Sequence, residues 1–357
     1  MRCGVGDYTE QLASSLIQHT DIGVSVLTSS VGAAAGAAPD HSEAHYVMPS
    51  WSIHGLLSFF SMMRRIKPDI VHVQFPAQGY IPPLGGLAWI PIICRLVFRV
   101  PVVQTWHEYI PDKAPDTLSC MYKMALGASA LIVVRPDYTS RIPKTMRFLL
   151  GRASIRLIPN VSNVPTVILS PDERAAIRGK LDCGESRLVA HFGFVYPHKG
   201  TDLLFHISDP AKHRLLIIGE LSERDPFHAR LLARAASPEW RGKVTITGFV
   251  PGAEAARLLA AADAVVFPFM SGGGNWNTSV HAATSQGSFV LMTSAGRNGY
   301  DAAANIYYAR PGAIDEMRRA LAEYSGARNP RVETAEETWA AMAAAHHKLY
   351  LSLLRAG

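Results

Sequence analysis

Four stretches of this 357-residue chain carry residues that could do chemistry. The first runs Pro268-Phe-Met-Ser-Gly272-Gly273-Gly274-Asn275-Trp-Asn277-Thr278-Ser279 and opens an apolar-periodic segment ending near Gly287. Glycines followed by small polar residues at a helix start predict a cradle for an anion: backbone N–H groups, hydroxyl donors and the positive helix end coincide there. The second runs His191-Phe-Gly193-Phe-Val-Tyr-Pro-His-Lys199-Gly200, where an apolar run gives way to a loop with one lysine ahead of a helical segment. A lysine there can act as a point charge on phosphate. The third is Trp106-His107-Glu108, at the end of a run that reads as a strand, where an imidazole can hydrogen-bond a sugar hydroxyl or a carbonyl. The fourth is Gly4-Val-Gly6 near the N-terminus, which reads as a turn before a helix over 9–19. Thr9 stands where the dinucleotide fingerprint has its third glycine, which disfavours a nicotinamide enzyme.

Parallel strands must present these loops. Ten short apolar runs alternate with helix-period stretches: 23–28, 69–75, 101–106, 130–134, 155–159, 188–192, 214–219, 244–248, 264–268 and 289–293. Runs such as Ala-Leu-Ile-Val-Val at 130–134 are apolar throughout, as in strands buried on both faces. Strand–helix alternation predicts an α/β fold with parallel sheets and crossover helices. The turn-rich stretch after Ile158 marks a boundary, giving domains at 1–165 and 166–335 and a terminal helical segment over 336–357. Only three residues precede Gly4, too few for the strand that a Rossmann turn follows, so a truncated or mis-assigned start is expected.

Bulk composition agrees with two packed cores: 48% hydrophobic and 18% charged residues. The net charge of +6 suits an anionic ligand or membrane surface. No nucleic-acid-binding motif accompanies it, so nucleic acid is not expected as a partner. Cys3, Cys94, Cys120 and Cys183 are scattered without metal-ligand spacing. With no signal peptide, this predicts a reduced, cytoplasmic protein. Residues 84–103 are apolar but broken by Pro91, Arg95, Arg99 and Pro101, a poor membrane span. Residues 51–65 form an amphipathic stretch beside Arg64, Arg65 and Lys67, which suits either a core-packed helix or peripheral contact with the inner face of an anionic membrane. There is no Asp-x-Asp, HExxH, GxSxG or GK[ST] motif, and no metal site is expected.

The ordered set Gly4-Val-Gly6-Asp-Tyr, Pro68-Asp-Ile-Val-His-Val-Gln74, Val102-Val-Gln-Thr-Trp-His107-Glu, Phe192-Gly193 with Lys199-Gly200, Gly248-Phe249-Val250-Pro251, and Asp263 with Phe267-Pro268 resembles glycosyltransferase family 4. So does a terminal helix with Trp339 and Leu349-Tyr350. The resemblance implies a GT-B fold: two Rossmann-like domains facing a central cleft, with the last helix crossing back to the first domain. It implies a retaining, metal-independent transfer from a nucleotide-diphosphate sugar to a glycan or lipid-linked acceptor, in polysaccharide or cell-envelope glycan synthesis. In that scheme Gly4 and Gly6 approach donor phosphate or acceptor, His107 contacts the transferred sugar and Lys199 neutralises the diphosphate. The 272–279 loop holds the leaving diphosphate, and Gly248, Phe249 and Val250 line the base pocket.

The chain departs from the family where charge is concentrated. The family's Glu-x7-Glu pair falls on Gly274 and Ala282, the alternative arginine pair on Trp276 and Asn277, and a further arginine on Phe194. Donor base and sugar therefore stay open. Two other readings stay open with them: a catalytically degenerate GT-B binding protein and a nucleotide-sugar 2-epimerase. The nearly uncharged loops count against the second.

Overall fold

The computed structural model describes residues 4–29, 44–76, 80, 85–108, 115–274, 276–329 and 338–355. The chain divides into two compact units, residues 1–161 with 334–357 and residues 162–333. Unit 1 runs α1 (Gly4–His19), β1 (Ser25–Ser29), β2 (Ala44–Met48), α2 (Leu56–Ile66), β3 (Val71–Phe75), α3 (Ile90–Ile93), β4 (Val102–Trp106), α4 (Pro115–Ala125), β5 (Ala130–Val133), α5 (Pro136–Arg141), α6 (Lys144–Leu150) and β6 (Ser154–Leu157). Unit 2 runs α7 (Pro171–Lys180), β7 (Arg187–Phe192), α8 (Leu204–Ile207), β8 (His213–Ile218), α9 (Pro226–Ala235), β9 (Val244–Ile246), α10 (Gly252–Ala261), β10 (Ala264–Phe267), α11 (Thr278–Ser285), β11 (Phe289–Thr293), β12 (Gly299–Asp301), β13 (Ile306–Ala309) and α12 (Ile314–Tyr324). The final helix, α13 (Trp339–Leu354), belongs to unit 1.

All ten apolar runs are strands, and β2, β12 and β13 are additions. In unit 1, β3-β4-β5-β6 form one parallel sheet and β1-β2 a separate parallel pair. Among the described residues no strand joins the two. Alternation along β4 sends Val102 and Trp106 to one core and Val103 to the other. The second core is closed by α1 and α13, through Tyr8, Leu12, Leu16, Met342, Leu349 and Tyr350. Ser15 Oγ donates to the Trp339 carbonyl at 2.8 Å, and the Tyr8 and Trp339 rings meet at 5.5 Å.

Gly4 and Gly6 do not form a turn ahead of the helix; they are part of its first turn. Tyr8, Leu12 and Leu16 make one buried stripe that draws the helix on, and glycine is least costly in a first turn, whose N–H groups lack intrahelical acceptors anyway.

Unit 2 holds a seven-stranded sheet in the order β12-β13-β11-β10-β7-β8-β9, with only the β12–β13 pair antiparallel. From β7 the chain moves first to β8 and β9 on one side, then to β10 and β11 on the other. The order therefore reverses between β7 and β10, the place where open parallel sheets bind ligands beyond their strand C-termini. The opposite end of the sheet is stapled shut. Asp263, 2% exposed at the start of β10, accepts from Arg174 at 2.7 Å, Arg178 at 2.5 Å and the Leu188 N–H at 2.7 Å. Burial alone would raise its carboxyl pKa, but the Leu188 N–H and Arg178 outweigh burial and hold it below the usual carboxylate range.

Candidate active site

In unit 2 the loops after β7 and β10 are built against each other. His191, in β7, donates from Nδ1 to the Val266 carbonyl at 2.9 Å and accepts from the Thr201 hydroxyl at 3.1 Å through Nε2. Burial pushes its pKa down to about 4, so the ring is neutral and acts as a peg under the loop. Pro197–Lys199 is a 3-10 turn closed by Gly200 at φ +68°, and a Cβ at Gly200 would run into the Pro268 carbonyl. The Met270 N–H donates to the His198 carbonyl at 3.0 Å. These contacts bring Lys199 Nζ to 4.9 Å from the centroid of the Phe269 ring, beside the glycine-rich loop.

The three glycines shape that loop but do not offer their own N–H groups outward. The Gly272 N–H donates to Phe269 O, that of Gly273 to Thr293 O, and that of Gly274 to the Asn277 side chain. Gly272 needs its freedom: φ is +78°, and a Cβ would crowd Ala295 N at 2.7 Å. Asn277, the residue before α11, uses its side chain to fold the loop and leaves the first helical N–H groups uncapped. Those of Thr278 and Ser279 have no acceptor among the described residues, and Thr278 is exposed. Thus the uncapped donors of this loop belong to the start of α11, where the helix dipole adds positive potential. Asn275 lies outside the described residues.

This edge carries one residue that the sequence named, Gly193, and one that it missed, Arg297. Gly193, at φ +116°, brings the end of β7 against α11, where an added Cβ would lie 3.7 Å from the Ser279 Cβ. The loop after β11 abuts Gly272 and carries the exposed Arg297, which donates to the Tyr308 hydroxyl at 2.8 Å. A cation just beyond a parallel strand was the available signal for Arg297. The Gly248–Val250 loop follows β9, two strands from β7, which is about 10 Å along the sheet edge. Gly248 turns the chain at φ +69°, Phe249 is 57% exposed, and Val250 packs on the core.

In unit 1, His107 follows β4 and its N–H donates to the Phe75 carbonyl at 2.8 Å. Its Nε2 lies 2.8 Å from Gln74 Oε1, and its ring meets the Tyr8 ring edge-on at 4.6 Å. Gly4 stands one helical turn before Tyr8, so the start of α1 and His107 form one neighbourhood. Burial, reinforced by the neighbouring His346, pushes the His107 pKa down to about 3. It is a neutral hydrogen-bonding group at physiological pH. The sequence did not single out its supports, His72, Gln74, His346 and Tyr350, as a group. They stand on β3 and α13, up to 278 positions apart, and no local spacing links them.

Among the described residues no three His, Cys, Asp or Glu side chains are grouped to hold a metal ion, and no helix is long and apolar enough to cross a membrane.

Solved structures similar to this chain match nearly its whole length. Sucrose-phosphate synthase from Thermosynechococcus elongatus matches with a TM-score of 0.75 at 16% identity, over 99% of this chain and 94% of that one. HepE from Anabaena, solved in complex with UDP-glucose, matches with a TM-score of 0.67 at 17% identity, over 99% and 94%. A glycosyltransferase from Rickettsia africae matches with a TM-score of 0.71 at 14% identity, over 99% and 96%. No curated protein sequence matches the chain. Residues 186–325, the body of unit 2 with Lys199 and α11, match the family described as glycosyl transferases group 1. The chain therefore has the GT-B fold, and its match to the glycosyl transferases group 1 model lies within the second unit.

Proposed function

We propose that this protein transfers a sugar from a nucleotide-diphosphate donor to a glycan or lipid-linked acceptor, with retention of configuration and without a metal ion, in polysaccharide or cell-envelope glycan synthesis. The observation that carries the reading is the meeting of Lys199 with the N-terminus of α11 at the point where the strand order of unit 2 reverses. The ammonium and the positive helix end suit the charge of a departing diphosphate. The Lys199 ammonium and the Thr278 and Ser279 donors take the phosphates. The span of about 14 Å from the β10 loop to the β9 loop suits an extended nucleoside diphosphate, with its base against Gly248, Phe249 and Val250. His107 meets the transferred sugar. The bond from the anomeric carbon to the phosphate oxygen breaks, the acceptor oxygen bonds to that carbon on the same face, and the acceptor's proton leaves with the diphosphate. Calorimetry with UDP, GDP, ADP and their sugars tests this. Micromolar binding of one diphosphate, lost in Lys199→Ala, is expected and names the base. Absence of binding by all three would replace the reading with that of a degenerate GT-B protein. Turnover that persists in excess chelator is the result expected of a metal-independent transferase.

A membrane-borne acceptor is favoured by one surface of unit 1. Ile53 and Leu57 stand 64% and 80% exposed at α2, and Leu96 and Val97 stand 73% and 59% exposed in the π-turn Cys94–Phe98 that follows α3. The Phe60 and Phe98 rings, 5.3 Å apart, join the two segments. Arg64, Arg65, Lys67, Arg95 and Arg99 are exposed around them, and residues 51–68 and 85–101 contain no Asp or Glu. Apolar side chains ringed by cations suit an anionic bilayer surface. Co-sedimentation with phosphatidylglycerol vesicles, but not phosphatidylcholine vesicles, is expected, and Leu57→Asp should abolish it. Equal behaviour on both lipids would remove the membrane from this proposal.

A further inference from the structure

A chain of hydrogen bonds in unit 1 ties His107 to the last helix. His107 Nε2 lies 2.8 Å from Gln74 Oε1, and Gln74 Nε2 lies 3.3 Å from His72 Nε2. His72 Nε2 also lies 2.8 Å from the Thr105 hydroxyl, and His72 Nδ1 lies 2.6 Å from the Tyr350 hydroxyl on α13. The Tyr8 ring edge packs on the His107 ring and fixes its plane.

Donor and acceptor logic runs through this chain in the direction that the Gln74 amide sets. An amide oxygen only accepts, so His107 Nε2 must carry a proton and donate to Gln74. An amide nitrogen only donates, so His72 Nε2 must be bare and accept from Gln74 and from Thr105. His72 is a neutral ring whose pKa burial pushes well below the usual value, so its one proton sits on Nδ1 and is donated to Tyr350. A neutral His107 with its proton on Nε2 has a bare Nδ1. That atom has no hydrogen-bond partner among the described residues. The opposite setting exists: turning the Gln74 amide over reverses every donor and acceptor and would put the His107 proton on Nδ1. A helix made at the far end of the chain thus helps decide whether His107 offers an acceptor or a donor.

We propose that His72, Gln74 and Tyr350 are positioning residues that lock His107 in the Nε2–H tautomer, so that its Nδ1 accepts a hydroxyl of the transferred sugar. The second half rests on the reading that His107 meets the sugar; the first half does not. It selects for a sugar that retains the facing hydroxyl, because a deoxy analogue would leave a buried acceptor unmatched.

The test is nitrogen-15 spectroscopy of the imidazoles in the full chain, with His107 assigned through His107→Gln. A single His107 tautomer with protonated Nε2 and pyridine-like Nδ1 is expected. Tyr350→Phe, which keeps the ring in the core, should shift the His107 signals toward a tautomer average. Gln74→Leu should do the same and serves if Tyr350→Phe does not fold. A wild-type His107 protonated on Nδ1, or signals that ignore both variants, would overturn the proposal. Turnover separates the two halves. A fall in kcat of about tenfold for Tyr350→Phe, the worth of one hydrogen bond, with unchanged donor KM, supports the sugar contact. A shifted tautomer with unchanged kcat leaves the lock standing and removes His107 from the sugar.

Discussion

In unit 2 seven strands form one sheet, and the groups proposed to meet a ligand are backbone N–H groups at the start of α11 with a lysine beside them. In unit 1 the strands fall into sheets of two and four, and the corresponding group is a side chain, His107, held by other side chains from β3, α1 and α13. Backbone donors are fixed by the sheet and need only glycine and a helix start around them. A side-chain imidazole has two tautomers and a titratable charge, and its setting must be imposed by burial and by partners. Unit 2 separates its tasks between the two ends of its sheet, with the Asp263 cluster at one and the donors at the other. Unit 1 merges them: Tyr8, His346 and Tyr350 belong to its core and also touch the His107 neighbourhood.

The comparison can be broken most directly at Asp263. Asp263→Ala leaves Arg174 and Arg178 at the buried end of the sheet without their carboxylate, and unit 2 should lose about 3–5 kcal/mol. Hydrogen exchange read peptide by peptide should show this in residues 162–333, with the His107 imidazole signals unmoved. Loss spread evenly over both units would show that their stabilities are not separable. Lys199→Ala should next lower kcat/KM by roughly 10²–10³, about 3–4 kcal/mol, as for removal of one preorganised charge donor, with no change in melting temperature. Arg297→Ala should cost far less, because the guanidinium is already held by Tyr308.

Acid should separate the units in the opposite sense. The His107 and His346 pKa values are pushed down to about 3 and about 4 by burial, and that of His72 well below its usual value. Their unfolded values are near 6.5. As pH falls through about 6.5 the unfolded chain takes up protons that the folded chain refuses, so stability is full above that pH and declines below it. Each such histidine contributes a slope of at most about 1.4 kcal/mol per pH unit. Among the described residues unit 1 has three, against His191 and His213 in unit 2, so unit 1 should open first between pH 6 and about 4. Urea titrations at pH 7 and 5, followed by proteolytic mapping, would show a reversed order if the imidazoles are not neutral. The smallest effect is expected for Gly272→Ala, which forces an L-residue to φ +78° and should cost about 1–2 kcal/mol locally. Its donor affinity should drop by less than that of Lys199→Ala.

Much of unit 2 was legible in the sequence because its signals are local. Apolar runs of four to six residues are strands, and the glycine cluster before Thr278 does open a helix. What the sequence misjudged was which N–H groups are left over, because the Thr293 carbonyl arrives from β11 while the Phe269 carbonyl and the Asn277 side chain turn back on the loop itself. The three-residue β12 and the polar beginning of β2 carry too little periodicity to be found. In unit 1, His107 could be marked by its place after a strand, but its partners could not. Tyr8 and His346 are 338 positions apart, and only the packing of α13 on α1 makes them neighbours. The helix over 56–66 buries Phe59 and Met63, as the core-packed reading of its amphipathic pattern expects, while Leu57 faces out.

The placement of α13 also bears on how the chain is made. A ribosome delivers residues 162–333 in one stretch, and unit 2 can fold as soon as they emerge. Unit 1 is begun first but lacks Met342, Leu349 and Tyr350 until residues 338–355 have been made. The usual order of vectorial folding is inverted, and the first-born domain waits for the whole of the second. A chain stopped early by a nonsense codon after residue 333 would carry a finished second unit and an unfinished first one. On the proposed function, messages cut short in that way should yield a fragment that keeps donor binding without turnover, one that quality-control proteases can recognise by its open first unit.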